Sequence, residues 1–151
     1  MAYVELHSQE GTAEGLSSFY TEFFHASTRV QKDNETSQCI VDISSGQELR
    51  FIEREDAPSR RDYDEREERA YHICIYVEDF KEAYERCASQ DLIWVNPRFP
   101  ADSATTWEEA KKQQQFRVRE VVEPGSGDLL MLLEHEVRGF DHPCYPLAPK
   151  A

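Results

Sequence analysis

Residues 71–77 read YHICIYV, an alternation that places Tyr71, Ile73, Ile75 and Val77 on one face of a strand and His72, Cys74 and Tyr76 on the other. One face reads as core and the other as the wall of a pocket. The chain opens in the same way: AYVELHS sets Val4 and Leu6 against Tyr3, Glu5 and His7. From about Thr12 the period lengthens, and Leu16, Phe19, Tyr20, Phe23 and Phe24 recur every three or four residues, the stripe of a helix that packs on a core. Three further strands are expected in STRVQ, SQCIVDIS and QELRFIE, separated by the polar turns KDNET and SSG.

The pattern then restarts. After the strand YHICIYV comes a helix, DFKEAYERCAS, with Phe80, Ala83, Tyr84 and Cys87 as its apolar stripe and a capping box expected between Asp79 and Glu82. A short strand is expected in IWVNPRF. The insertion PADSATTWEEAKKQQ has helical character around Trp107 to Gln114, and as a long connection it is a candidate lid. FRVREVVE and DLLMLLEHE then flank the turn PGSG as a hairpin. Two copies of one strand-helix-strands unit follow from this order, a repeat of roughly 70 residues. The expected boundaries are 1–55 for the first module, 56–69 for a charged linker, 70–136 for the second module and 137–151 for a proline-rich tail, all within a single domain.

Composition narrows the function. The 151 residues carry a net charge of −13, which opposes a nucleic-acid surface because phosphates are repelled unless a basic stripe intervenes, and none is present. No apolar run reaches the roughly 20 residues that a helical membrane span requires. The start, MAYVELHSQEG, lacks the basic and apolar blocks of a secretory signal, so a cytoplasmic protein is expected. Cys39, Cys74, Cys87 and Cys144 are spread singly and read as free thiols.

Two βαβββ modules in tandem, with HICIYVEDF opening the second and VVEPGSGDLLMLLE closing it, resemble the vicinal oxygen chelate superfamily, which holds glyoxalase I, fosfomycin resistance proteins, extradiol dioxygenases and bleomycin-binding proteins. The resemblance extends from about residue 3 to 136. It implies an α+β fold in which the modules form an open, cupped, mixed β-sheet with helices on the convex side and a small molecule on the concave side. It also implies a homodimer. Metal-dependent members take His and Glu ligands from the first and last strands of each module, and the divalent ion (Zn, Ni, Mn or Fe) polarises a substrate with neighbouring oxygens.

Carried onto this chain, the resemblance puts His72 in the first-strand position of the second module. Glu5, with His7 one pleat on, takes the corresponding place in the first. The closing-strand positions fall on Arg50 and Met131, neither of which is a usual ligand for a divalent ion. Three readings of His72 therefore stand side by side: metal ligand, proton-transfer group, and cavity-wall histidine with one hydrogen bond. His72 and Glu5 are the candidate catalytic pair, and with His7 the candidate metal donors. Tyr3, His7, Arg50, Cys74, Tyr76 and Met131 are the candidate cavity wall. Arg50 has a plainer alternative as a solvated strand residue and a sharper one as a bidentate anion holder. Two functions remain, a glyoxalase- or dioxygenase-like enzyme acting on a small oxygen-rich molecule with a divalent metal, or a metal-free protein that binds or sequesters such a molecule. His135, His142 and Cys144 match no metal motif.

Overall fold

The structure, a computed structural model, describes residues 2–33, 36–57 and 72–145. Tyr71, most of the charged linker and the last residues of the tail lie outside the described residues. The described chain divides into two compact units, residues up to 57 with Val121–Leu132 and residues 72–120 with Leu133 onward. Each is taken by itself.

In the first unit, β1 (Ala2–Ser8), β2 (Ser27–Lys32), β3 (Ser37–Ser44) and β4 (Gln47–Glu53) form a sheet of order β1-β4-β3-β2. β1 runs parallel to β4, and the other pairings are antiparallel. Helix α1 (Ala13–Phe24) is the crossover that such a parallel pair requires. Its stripe of Leu16, Phe19, Tyr20 and Phe23 is buried, as are Cys39, Val41, Leu49 and Phe51 on the sheet. The Tyr20 and Phe51 rings lie 5.5 Å apart. Each such side chain contributes roughly 1.5–3 kcal/mol by leaving water. Register and alternation leave the other face to Tyr3, Glu5, His7, Glu48, Arg50, Asp42 and Arg29.

The second sheet repeats the plan with changes; Val121–Leu132, the turn end of its last two strands, is counted in the first unit. β5 (Ile73–Val77), β6 (Gln115–Val122) and β7 (Leu129–Gly139) make a sheet of order β5-β7-β6, with β5 parallel to β7. Helices α2 (Phe80–Ser89) and α3 (Trp107–Gln113) pack together, and Phe80 and Tyr84 each meet Phe116 at 5.4 Å between ring centroids. Ile75, Val77, Leu133, Val137, Phe116 and Val118 are buried with them.

Three expectations change. The strand expected in IWVNPRF is reduced to one bridge, between Ile93 and Val118. Pro97 has no N–H to donate, and the backbone N–H of Asn96 goes to the Ser103 hydroxyl instead of a neighbouring strand. The capping box is not at Asp79, whose side chain makes no cap bond, but at Thr106 and Glu109 before α3. Thr106 has the extended backbone (φ −124°, ψ 159°) that aims an N-cap oxygen at the first turn, whereas Asp79 sits at ψ 62°. Finally, β7 continues past residue 136 to Gly139, so the start of the expected tail is strand. The result is a mixed α+β fold of two open sheets with helices on one face of each.

Candidate functional site

Each sheet turns one polar face away from its helices, and the candidate residues lie on those faces. On the first sheet, Glu48 is buried between two arginines. Arg29 reaches one carboxylate oxygen at 2.6 Å, and Arg50 donates to the other from Nε at 2.8 Å and from Nη2 at 2.7 Å. The hydrogen bonds from Arg29 and then Arg50 hold the Glu48 carboxyl below the usual carboxylate range. The Arg50 guanidinium also lies over the Tyr3 ring, 4.1 Å from its centroid. Arg50 is thus paired with a carboxylate and an aromatic ring rather than being a solvated strand residue. Glu5 and His7 are exposed and within 3.4 Å of each other, with Glu5 opposite Arg50 in the β1–β4 register.

On the second sheet, β7 contributes Glu134, Glu136 and Arg138, β6 contributes Gln115 and Arg117, and β5 contributes Cys74 and Tyr76, with His72 just before it. Arg117, only 4% exposed, spans both carboxylates: Nη1 lies 2.5 Å from Glu134 and Nη2 lies 2.8 Å from Glu136. Asn96 completes Glu134, its amide nitrogen donating to both oxygens at 3.0 and 3.1 Å. Arg138 closes on the second oxygen of Glu136, donates from Nε to Gln115 at 2.9 Å and donates from Nη1 to the Tyr76 hydroxyl at 3.3 Å. His72 is half exposed, with Nε2 3.7 Å from Glu136. Cys74 stands opposite Glu136 in the register, and its thiol is pushed up, chiefly by burial.

Met131 is buried on β7, on the alternation that holds Leu133 and His135 rather than Glu134 and Glu136. Within the insertion, α3 packs through Trp107 on Phe80 and Tyr84; before it, Asn96 reaches the polar face and the Phe99 ring lies 5.8 Å from the Arg117 guanidinium.

A divalent ion fits these donors poorly. Both oxygens of Glu136, a carboxylate 3.7 Å from His72, are already taken by guanidinium groups, and cations repel a cation. Among the described residues no group of three or more His, Cys, Asp or Glu side chains is gathered for a metal. Sequence reading passed over Arg117, Glu136, Arg138 and Glu48. The signal for them was present in the alternation of QFRVRE and LEHEVR, where charges recur every second residue between apolar ones.

The chain superposes on a protein assigned to the glyoxalase family from Bacillus anthracis with a TM-score of 0.51 at 15% identity, covering 91% of this chain and 93% of that one. It superposes on a fosfomycin resistance protein, FosX, from Listeria monocytogenes with a TM-score of 0.53 at 10% identity, covering 92% and 90%; that protein was crystallised with Mn(II) and a dihydroxypropylphosphonic acid. A Bacillus cereus structure described as a possible glyoxalase gives 0.51 at 12% identity, covering 90% and 95%. No family model matches the chain, and no curated protein matches it in sequence. The likeness is one of fold, shared with these glyoxalase-family and fosfomycin resistance structures, and it is the fold expected from the repeat. Among the described residues, no helix is long and apolar enough to cross a membrane.

Proposed function

We propose that this chain takes a small oxygen-rich molecule against the polar face of its second sheet, and that it does so without a resident metal. The observation that carries the reading is Glu136. It lies 3.7 Å from His72, on the last strand of its module, the part of the fold from which metal-dependent members draw a carboxylate ligand, yet it is clamped by Arg117 and Arg138. The clamp neutralises the carboxylate and leaves the half-exposed His72 imidazole as a polar group for a ligand. An imidazole at this place can donate or accept a hydrogen bond and can move a proton to or from an oxygen of the bound molecule. That chemistry serves a binding protein and an enzyme alike.

A second reading, a metal-dependent lyase or dioxygenase, draws on the same approach of His72 to Glu136, a nitrogen and an oxygen donor 3.7 Å apart. Elemental analysis of the untagged protein, followed by add-back of Mn, Ni, Zn and Fe with a thermal-shift readout, separates the two. Sub-stoichiometric metal and an unchanged midpoint are expected. Stoichiometric metal that disappears in His72→Ala overturns the metal-free reading. Ligand binding is tested by NMR titration with small carboxylates and phosphonates, where His72 signals are expected to shift. A homodimer, also implied by the resemblance, is tested by sedimentation of the purified chain.

A further inference from the structure

The four cysteines divide into two classes. Cys39 and Cys87 are buried, out of reach of a dissolved oxidant, and burial pushes the Cys39 thiol to about 12 and raises Cys87 as well; burial also raises Cys74, which keeps an exposed surface. Cys74 and Cys144 are exposed and free. They lie 70 positions apart in sequence, yet Cys144 is near enough for its thiol to act electrostatically on that of Cys74. Tyr76, two residues after Cys74 on the same face of β5, donates its hydroxyl proton to the backbone carbonyl of Cys144 at 3.1 Å. The segment carrying Cys144 is folded back at several points. Tyr145 packs on Tyr76 at 5.1 Å and stacks on Phe140 at 4.6 Å, and the Cys144 N–H is taken by the His142 ring at 3.1 Å. Arg138 ties the two sides together, since it bonds the Tyr76 hydroxyl and its charge partly offsets the burial that raises the Cys74 thiol.

We propose that Cys74 and Cys144 are an oxidisable dithiol, which a peroxide converts to an intramolecular disulfide fastening the C-terminal segment to β5. One thiolate attacks the peroxide, cleaving the O–O bond; it becomes a sulfenic acid as the leaving hydroxide takes up a proton to give water. The second thiolate then attacks the sulfenic sulfur, the S–S bond forms and a second water leaves. Two electrons and two protons pass from the thiols to hydrogen peroxide, so the step is balanced without a metal or cofactor. A disulfide needs Cα atoms roughly 4.4–6.8 Å apart. The segment able to adjust to that span is the turn-rich 140–145 stretch, held to β5 among the described residues by the Tyr76 hydrogen bond and ring contacts rather than by a ladder.

The test uses the whole chain. Reduced protein is treated with a small excess of hydrogen peroxide, alkylated, digested without reductant and mapped by mass spectrometry. A peptide pair joining Cys74 to Cys144 is expected, with two of the four thiols left for alkylation after unfolding and all four recovered with dithiothreitol. In Cys74→Ser and in Cys144→Ser, exposed substitutions that leave the core intact, the remaining partner is expected to stop at sulfenic acid. The proposal is overturned if the two thiols oxidise independently to sulfinic acid in the unmodified sequence, or if their only links are between chains.

Discussion

Arg117 and Glu136 form an ion pair at 2.8 Å although both are almost wholly buried. Burying charge is costly, and the cost is offset here only because Arg117 also holds Glu134 while Arg138 holds Glu136. Arg117→Met therefore leaves two carboxylates buried with an incomplete set of partners. A loss of about 3–5 kcal/mol in unfolding free energy is expected, the range for breaking a buried pair from one side. Urea titration at pH 7 measures it, and a loss under ~1 kcal/mol would contradict the burial of the network.

His135 lies on the opposite face of β7, fully buried, with its Nδ1 proton donated to the Leu133 carbonyl at 2.7 Å. Burial lowers its pKa from 6.5 to about 4. Above pH 6.5 the ring is neutral in both the folded and the unfolded chain, and its full contribution to stability is present. As pH falls from 6.5 toward 4, only the unfolded chain takes the proton, so stability declines by roughly 3 kcal/mol before the slope flattens. Comparing urea midpoints between about pH 7 and about pH 5.5 isolates this effect from most carboxylate titration. The dependence is expected to shrink in His135→Asn; an unchanged slope in that variant assigns the effect elsewhere.

The two helix starts of the second unit offer a paired comparison. Thr106 accepts the Glu109 N–H, and Glu109 bonds back to the Thr106 N–H, whereas Asp79 makes no side-chain cap bond. Thr106→Ala is expected to cost about 1 kcal/mol and Asp79→Ala a few tenths. Thermal unfolding of both variants under one condition checks the order. Equal losses would show that Asp79 caps α2 in solution.

The architecture was readable because its signals are local. Ile73, Ile75 and Val77 alternate with Cys74 and Tyr76, and the α1 aromatics recur at helical spacing, so each element announces its own buried face. The polar networks were harder to read because they depend on register. Nothing local in Glu136 says that its partners are Arg117 on β6 and Arg138 on its own strand; that follows only once β7 lies between β5 and β6. The misplaced capping box has a similar cause. Asp79 and Glu82 have the right spacing, but the backbone angle at Asp79 turns the carboxylate away, and Ser103–Thr106 sets up the usable cap instead. The end of β7 was hidden by the prolines that follow Gly139, which made the whole tail look irregular.

The same clasp occurs in both modules: Glu48 is followed two residues later by Arg50, as Glu136 is by Arg138, each on the strand that pairs in parallel with its module's first. On the second sheet Arg117 and Arg138 balance Glu134 and Glu136, while the chain as a whole carries −13. The face is thus a balanced patch within a negative field. An anion approaching from solution meets repulsion before it meets the guanidinium groups, and dissolved salt, which weakens the long-range field more than the contacts at close range, should speed its capture rather than slow it.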